Sequence, residues 1–113
     1  MIDDDPRVLS VTTAILRRAG YEVLTATAPE SALELLSTNP QIAIALVDVV
    51  LPGMNGYDLA SEIRRVAPPT RIVYMSGFRS DHIQQAVDDL VLPKPFTVGA
   101  LVATVAAALE NLN

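Results

Sequence analysis

Residues 42–48 read Ile-Ala-Ile-Ala-Leu-Val-Asp, six apolar residues that run directly into a carboxylate. A strand that is apolar on both faces is typical of a parallel sheet covered by helices on either side. Segments with helical periodicity alternate with short apolar runs before and after this stretch, which is the pattern of successive β-α units. We therefore predict a doubly wound α/β fold in which residues 42–47 form an inner strand.

The remaining patterns predict five strands and five helices in alternation. Only Met1 and Ile2 precede the first acidic residues, so the first strand is represented by its carboxyl end alone. Right-handed crossovers between parallel strands leave few arrangements other than a doubly wound sheet. The other predicted strands are residues 22–26, 71–75 and 90–92, and the predicted helices are residues 7–19, a segment from Pro29 to before Asn39, residues 57–67, residues 80–88 and a last helix capped by Thr97.

Composition excludes several classes of protein. A chain of 113 residues can bury one hydrophobic core and not two, so we expect a single domain over residues 1–113. The absence of Cys excludes disulfides, thiolate zinc sites and cysteine nucleophiles. A net charge of −5 argues against direct binding to nucleic acid or to an anionic membrane. The longest uncharged stretch is too short to span a membrane and the acidic amino terminus is unlike a signal peptide, so we expect a cytoplasmic protein.

Polar side chains follow the predicted strands at their carboxyl ends, where open parallel sheets bind ligands. Carboxylates that converge in one cleft repel one another unless a cation lies between them, and hard oxygen ligands suit Mg²⁺. A hydroxyl and an ammonium beside such a metal would complete a site for a phosphoryl group, and an aligned carboxylate could form an acyl phosphate. The residues concerned are Asp3, Asp4 and Asp5 after the first strand, Asp48 after the third, Ser76 after the fourth and Lys94 after the fifth.

Lys94 is the only lysine in the chain, since Arg supplies every other basic side chain. Lysine presents a compact point charge to phosphate, whereas Arg presents a wide planar fork. The position of Lys94 between two prolines, directly after a predicted strand, therefore favours a role in the phosphoryl site.

Four motifs, in order along the chain, resemble those of response-regulator receiver domains, the phosphoacceptor domains of two-component signalling. They are residues 3–6 (DDDP), 45–56 (ALVDVVLPGMNG), 74–77 (YMSG) and 93–97 (PKPFT). The resemblance implies a (βα)5 flavodoxin-like parallel sheet with strand order 2-1-3-4-5. The wording of residues 73–78 (VYMSGF) is further similar to receivers attached to hybrid sensor histidine kinases.

The resemblance also implies a phosphorylation-controlled switch and not an enzyme that turns over a small substrate. The phosphoryl donor would be a phosphohistidine of a sensor histidine kinase or a histidine phosphotransfer protein, with activity limited to self-phosphorylation from small donors and autodephosphorylation. A homodimer would form through the face of the fourth helix, fifth strand and fifth helix. The implied site residues are the phosphoacceptor Asp48, the phosphoryl-contacting Ser76 and Lys94, and the Mg²⁺ ligands Asp3, Asp4, Asp48 and Val50, the last through its backbone carbonyl.

The chain departs from the family pattern at its first strand. Because only Met1 and Ile2 precede the acidic run, we expect a gap between the second and third strands, weak anchoring of Asp3 and Asp4, and weak binding of Mg²⁺. We interpret this as a sequence that begins inside the natural domain, or as a sheet that a partner completes.

Three further departures concern switching and decay. Val91 stands where the family usually places an aromatic residue, and the segment between Ser76 and Lys94 is shorter than usual, which predicts altered dimerisation or partner choice. Val50 and Phe78 cannot orient an attacking water, which predicts a long-lived phosphoaspartate.

Competing interpretations remain open at this stage. One is a receiver-like interaction module that takes no phosphate, and another is a Mg²⁺-dependent phosphohydrolase, although Val50 occupies the position where such an enzyme needs a second acid. A flavodoxin-like cofactor binder is disfavoured because the acidic first loop would repel a phosphate. The acidic run alone favours a frayed terminus or a helix cap, and the presence of Asp48, Ser76 and Lys94 reverses that preference. His82 is most simply an exposed residue.

Overall fold

The computed structural model describes residues 1–51, 53–76, 90–93 and 96–110. Within these ranges the chain forms four helices and three strands. The predicted helix over residues 80–88 lies outside the described residues, as do His82 and Phe78. The elements are α1 (Pro6–Arg18), α2 (Pro29–Thr38), β1 (Ile44–Asp48), α3 (Gly56–Val66), β2 (Arg71–Ser76), β3 (Leu90–Pro93) and α4 (Val98–Glu110).

The three strands form a parallel sheet in the order β1-β2-β3. β1 pairs with β2 from Ile44 opposite Arg71 to Asp48 opposite Met75. β2 pairs with β3 up to Ser76 opposite Pro93. The predicted parallel α/β sheet is confirmed, and all three strands end at the same edge.

The first strand is reduced to two residues that nevertheless join their neighbours. Ile2 forms parallel bridges to Ala26 on one side and to Val47 on the other. Its N–H donates to the Leu46 carbonyl at 2.7 Å, and its carbonyl accepts from the Asp48 N–H at 2.9 Å. The predicted order 2-1-3-4-5 is therefore confirmed, and the expected gap is absent at the level of Ile2.

The predicted strand over residues 22–26 is wrong except at Ala26. Residues 21–25 have no regular secondary structure, and Ala26 alone of this segment forms a bridge. A parallel strand needs a paired backbone on at least one side, and in this segment Ala26 alone is paired, with Ile2. The residues before Ala26 have a strand-like sequence but form no ladder.

Helices cover both faces of the sheet, which explains why the central residues of the strands are apolar on both faces. Successive strand residues point to opposite faces, so Val47 packs in one cluster and Leu46 in the other. The first cluster also buries residues of α2 and α3, and the second buries residues of α1 and α4. The largest fully buried side chains of the two clusters are Tyr74, Leu59, Ile63, Ile72, Met75, Leu92 and Leu101.

Local capping places the helix ends close to their predicted positions. Thr97 Oγ1 accepts a hydrogen bond from the Ala100 N–H at 3.0 Å, which confirms the predicted N-cap of α4. Asn55 caps α3 in the same way through the Asp58 N–H at 2.9 Å. Gly20 follows α1 with a φ of 98°, the left-handed conformation expected at a glycine C-cap.

We expect Ile2→Ala to lower the free energy of unfolding by about 2–4 kcal/mol, because Ile2 is 3% exposed and its side chain fills the core between residue 26 and β1. Val11→Ala is the matched control, since Val11 is 61% exposed on α1 and should change stability by less than about 0.5 kcal/mol. Urea unfolding measures both. Equal, small effects for the two variants would show that Ile2 does not hold the sheet.

Candidate metal centre at the carboxyl end of the sheet

Three carboxylates converge where the first strand and β1 end. One carboxylate oxygen from each of Asp3, Asp4 and Asp48 can be chosen so that the three lie within 4.8 Å of one another. Asp3 and Asp4 follow Ile2 directly, and Asp48 is the last residue of β1. Because Ile2 and β1 are hydrogen-bonded in parallel, their carboxyl ends meet at this edge, as the sequence predicts.

Asp3 is held firmly, contrary to the expectation of weak anchoring. Its backbone N–H donates to the Ala26 carbonyl at 3.2 Å, and its Oδ1 accepts from the Asp5 N–H at 2.9 Å. The residue is 0% exposed. The expectation failed because the residue after a short strand still continues the ladder on one side, and here Ala26 supplies that partner. Asp4, in contrast, is exposed to solvent.

Asp48 is buried at the centre of the cluster. Its Oδ1 accepts a hydrogen bond from the Val50 N–H at 3.0 Å, which fixes the carboxylate against the start of the following loop. Asp3 and Asp48 are buried and Asp4 lies beside them, so water screens their negative charges poorly. A divalent cation would offset that charge. Carboxylate oxygens are ligands that Mg²⁺ prefers, and the exposed side of Asp4 leaves room for water ligands. The donor set therefore fits a hard divalent cation.

Asp5 is separated from the cluster by its role in α1. It is the N-cap, and its Oδ1 accepts from the Arg7 N–H at 2.9 Å. That backbone hydrogen bond is the main reason that the pKa of Asp5 lies below its usual value. The helix-cap interpretation of the acidic run is therefore correct for Asp5, while Asp3 and Asp4 belong to the cluster.

The loop between β1 and α3 passes very close to Asp48. Gly56 N–H donates to the Val49 carbonyl at 2.7 Å, and Val49 N–H donates to the Met75 carbonyl at 2.9 Å. A Cβ on Gly56 would overlap the Asp48 carbonyl oxygen and lie 2.7 Å from the Val49 Cα. Gly56 is thus a positioning residue that the sequence argument missed, although a glycine directly before a predicted helix was a visible signal.

For Ser76 and Lys94 the structure gives only the register of the neighbouring backbone. Ser76 ends β2 and lies opposite Pro93, the residue that precedes Lys94. Lys94 and the Ser76 side chain lie outside the described part of the structure. The Val50 side chain is half exposed beside the cluster.

Tyr57 of α3 and Tyr74 of β2 pack against each other. Their ring centroids lie 4.9 Å apart with an interplanar angle of 51°, a tilted aromatic pair. Burial raises the pKa of the Tyr57 hydroxyl. Val91, which stands where the family usually has an aromatic residue, is partly buried against the hydrophobic cluster that includes Tyr74 and residues of α2 and α3.

Across the described ranges, every helix is too short or too polar to cross a lipid bilayer.

The fold and the cluster define a class: doubly wound, flavodoxin-like α/β domains with a cluster of carboxylates at the carboxyl ends of the first and third strands. Within that class the assignment is specific. The profile of the family described as "Response regulator receiver domain" matches residues 1–106, and the chain belongs to this family. Receiver domains are signalling switches of two-component systems, and they bind Mg²⁺ at an acidic cluster.

Similar proteins agree with this assignment. The chain is 28% identical to response regulator SaeR of Staphylococcus aureus (strain USA300) over all of this chain and 50% of SaeR. It therefore spans about half the length of the curated relatives it matches. A CheY-like receiver domain protein from Methanospirillum hungatei JF-1 has a TM-score of 0.87 at 27% identity, over 98% of this chain and 91% of that one. A receiver domain protein from Clostridium thermocellum has a TM-score of 0.87 at 25% identity, over 97% and 91%.

We expect Gly56→Ala to destabilise the fold by about 1–3 kcal/mol, because the new methyl group meets backbone atoms that cannot rotate away. Gly99→Ala is the matched control: its nearest neighbour is the Thr97 Oγ1 at 3.9 Å, and alanine favours a helix by about 0.5–1 kcal/mol. Thermal and urea unfolding report both changes. A Gly56→Ala chain as stable as the wild type would contradict the close approach to Asp48.

Proposed function

We propose that the chain is a phosphorylation-controlled switch in which Asp48 accepts a phosphoryl group from a phosphohistidine. The donor is a sensor histidine kinase or a histidine phosphotransfer protein. The observation that carries the proposal is the cluster in which carboxylate oxygens of Asp3, Asp4 and Asp48 lie within 4.8 Å of one another. Membership of the receiver family supports the same chemistry.

Asp3, Asp4 and Asp48 would hold Mg²⁺, together with the backbone carbonyl of Val50. When bound, Mg²⁺ supplies positive charge that neutralises the phosphoryl oxygens during transfer. The buried Asp3 and the exposed Asp4 have different parts in this arrangement. Asp3 contributes fixed negative charge on the protein side, and Asp4 contributes an oxygen that solvent can reach before the metal arrives.

Asp48 supplies the nucleophile. One of its carboxylate oxygens forms the bond to phosphorus while the phosphorus–nitrogen bond of the donor breaks, and the departing imidazole takes up a proton. The hydrogen bond from the Val50 N–H and the position of Asp48 at the end of β1 fix the direction of the carboxylate before the donor arrives. A nucleophile held in one orientation loses little further entropy on reaching the transition state.

Ser76 and Lys94 would contact the transferred group from the far side of Asp48. The support is the register of the sheet: Asp48 lies opposite Met75, and Ser76, the next residue, lies opposite Pro93. Lys94 therefore directly follows the end of β3, and β2 lies between β3 and the strand that ends at Asp48. A lysine ammonium there would act as a point charge on the phosphoryl oxygens, and the serine hydroxyl would donate a hydrogen bond.

Several broader features belong to the same proposal. We infer a single receiver domain over residues 1–113, a cytoplasmic location, and a downstream partner or effector domain whose identity is open. Dimerisation would use the face that includes β3 and α4. The slow loss of the phosphoryl group expected from Val50 and Phe78 also stays a prediction.

The competing hypothesis of an interaction module without phosphorylation rested on a poorly anchored acidic pair. The burial of Asp3 and its hydrogen bond to Ala26 weaken that reasoning. The phosphohydrolase hypothesis requires a second acid two residues after Asp48, and the half-exposed apolar side chain of Val50 is there instead.

We expect the wild-type chain to gain one phosphoryl group on incubation with acetyl phosphate and Mg²⁺, measured as intact mass. Asp48→Asn should gain none, because an amide is a poor nucleophile, yet it keeps an oxygen that can accept from the Val50 N–H. Asp58→Asn is the matched control and should be phosphorylated like the wild type, since Asp58 is exposed on α3. Omitting Mg²⁺ should slow the gain in mass.

Two outcomes would overturn the proposal. A folded wild-type chain that gains no mass would favour the module that takes no phosphate. A mass gain that persists in Asp48→Asn would place the acceptor on another residue. Circular dichroism of each variant separates both outcomes from loss of folding.

A further inference from the structure

The residue after Asp48 connects the end of β1 to two other elements of the fold. The Val49 N–H donates to the Met75 carbonyl of β2 at 2.9 Å, and the Val49 carbonyl accepts from the Gly56 N–H at the start of α3 at 2.7 Å. The Val49 side chain is buried. Because protein interiors are close-packed and transmit strain, a displacement of Val49 would move β2, α3 or both.

A tyrosine stands directly beside each of these two partners. Tyr57 follows Gly56 in α3, and Tyr74 precedes Met75 in β2. The two rings pack against each other, with their centroids 4.9 Å apart and an interplanar angle of 51°. The hydrogen bonds of Val49 and this ring contact therefore form a closed set of contacts among β1, β2 and α3.

The ring pair reaches the surface along α3. Tyr74 is 2% exposed, and its hydroxyl oxygen accepts from the Arg64 Nη2 at 3.4 Å. Tyr57 is half-buried and Arg64 is exposed. A change in the packing of the two rings would therefore alter the outward face of α3 between residues 57 and 64.

Phosphorylation of Asp48 would act on Val49 through a hydrogen bond of the same loop. Asp48 Oδ1 accepts from the Val50 N–H at 3.0 Å. A hydrogen bond to a charged acceptor is stronger than one to a neutral acceptor, and an acyl phosphate carries no charge on the carboxyl group itself. Phosphorylation therefore weakens the bond that holds the backbone of residues 49–50, and the added phosphoryl group occupies space beside the same backbone.

Val91 makes an aromatic pair elsewhere in this layer relevant. It lies opposite Tyr74 in the sheet and is partly buried against the same hydrophobic cluster as Tyr57. A valine side chain has one restricted rotatable bond, so it cannot swing between two distant positions. The two tyrosines supply larger side chains in the same layer, one strand away.

We propose that the Tyr57–Tyr74 pair transmits phosphorylation of Asp48, through Val49, to the outward face of α3. The inference rests on the proposed function, since it begins with a phosphoryl group on Asp48. Close-packed groups have a few discrete arrangements and do not deform continuously. The pair therefore has one arrangement in the unmodified chain and another in the phosphorylated chain, and the surface that differs is the α3 face of Tyr57 and Arg64.

The test is ¹⁹F NMR of the chain labelled with 3-fluorotyrosine, which contains three tyrosines. Mg²⁺ is present from the start, and acetyl phosphate is then added. We expect the Tyr57 and Tyr74 resonances to shift as the intact mass shows the gain of one phosphoryl group. Tyr21 is the internal control and should not shift, because it packs against the cluster on the other face of the sheet. Single Tyr→Phe variants assign the resonances.

Two variants of Tyr57 test the coupling itself, since contact alone does not establish it. Tyr57→Phe keeps the ring and should keep the Tyr74 shift in full. Tyr57→Leu removes the ring and should lose most of the Tyr74 shift, while Asp48 is still phosphorylated as in the wild type. If Tyr57→Leu does not fold, the near-UV circular dichroism of the unlabelled wild-type chain decides: the chain has no Trp, so tyrosine dominates this signal, which should change on phosphorylation.

Three results would overturn the inference: a phosphorylated wild-type chain whose Tyr57 and Tyr74 resonances do not shift, an equal shift at Tyr21, or a full Tyr74 shift in phosphorylated Tyr57→Leu. Each of these leaves the proposed function intact, because the mass of the same sample shows the phosphoryl group. A folded chain that gains no mass contradicts the proposed function, and this inference with it.

Discussion

The hydrogen bonds of Ile2 are the constraint on which both the sheet and the acidic cluster depend. Ile2 donates to the Leu46 carbonyl and accepts from the Asp48 N–H, while the next residue, Asp3, donates to the Ala26 carbonyl. These bonds cross the sheet on both sides of a strand that is only two residues long. Because Asp3 and Asp48 directly adjoin the bonded groups, these hydrogen bonds bring their carboxylates to the same edge of the sheet.

The first strand acts on the acidic cluster through its carboxyl end. At its carboxyl end two residues are sufficient, since a carboxylate is aimed by the residues that immediately precede it. The backbone hydrogen bonds of Met1 and Ile2 thus preserve the proposed phosphoryl site.

Much of this arrangement could be predicted from sequence because it depends on short stretches of neighbouring residues. The apolar run that ends at Asp48 identifies β1, Pro29 and Thr97 mark helix starts, and acids at strand ends indicate the metal cluster. Residues 22–26 were predicted wrongly because strand pairing depends on a distant neighbour, whose length the segment itself does not encode. The burial of Asp3 was missed for the same reason, since it depends on distant residues such as Ala26. The contact of Gly56 with the Asp48 backbone was missed because it depends on the path of the loop between β1 and α3, which residue spacing does not give.

The most direct test of the central claim is a Mg²⁺ titration of the ¹⁵N-labelled chain followed by amide NMR. The claim is that Ile2 brings Asp3, Asp4 and Asp48 together as one metal site. It predicts saturable shifts confined to the amides of residues 3–5 and 48–50, with α4 unchanged, and loss of these shifts in Asp4→Asn. Shifts absent at millimolar Mg²⁺, or spread evenly over the acidic surface and unaffected by Asp4→Asn, would contradict it.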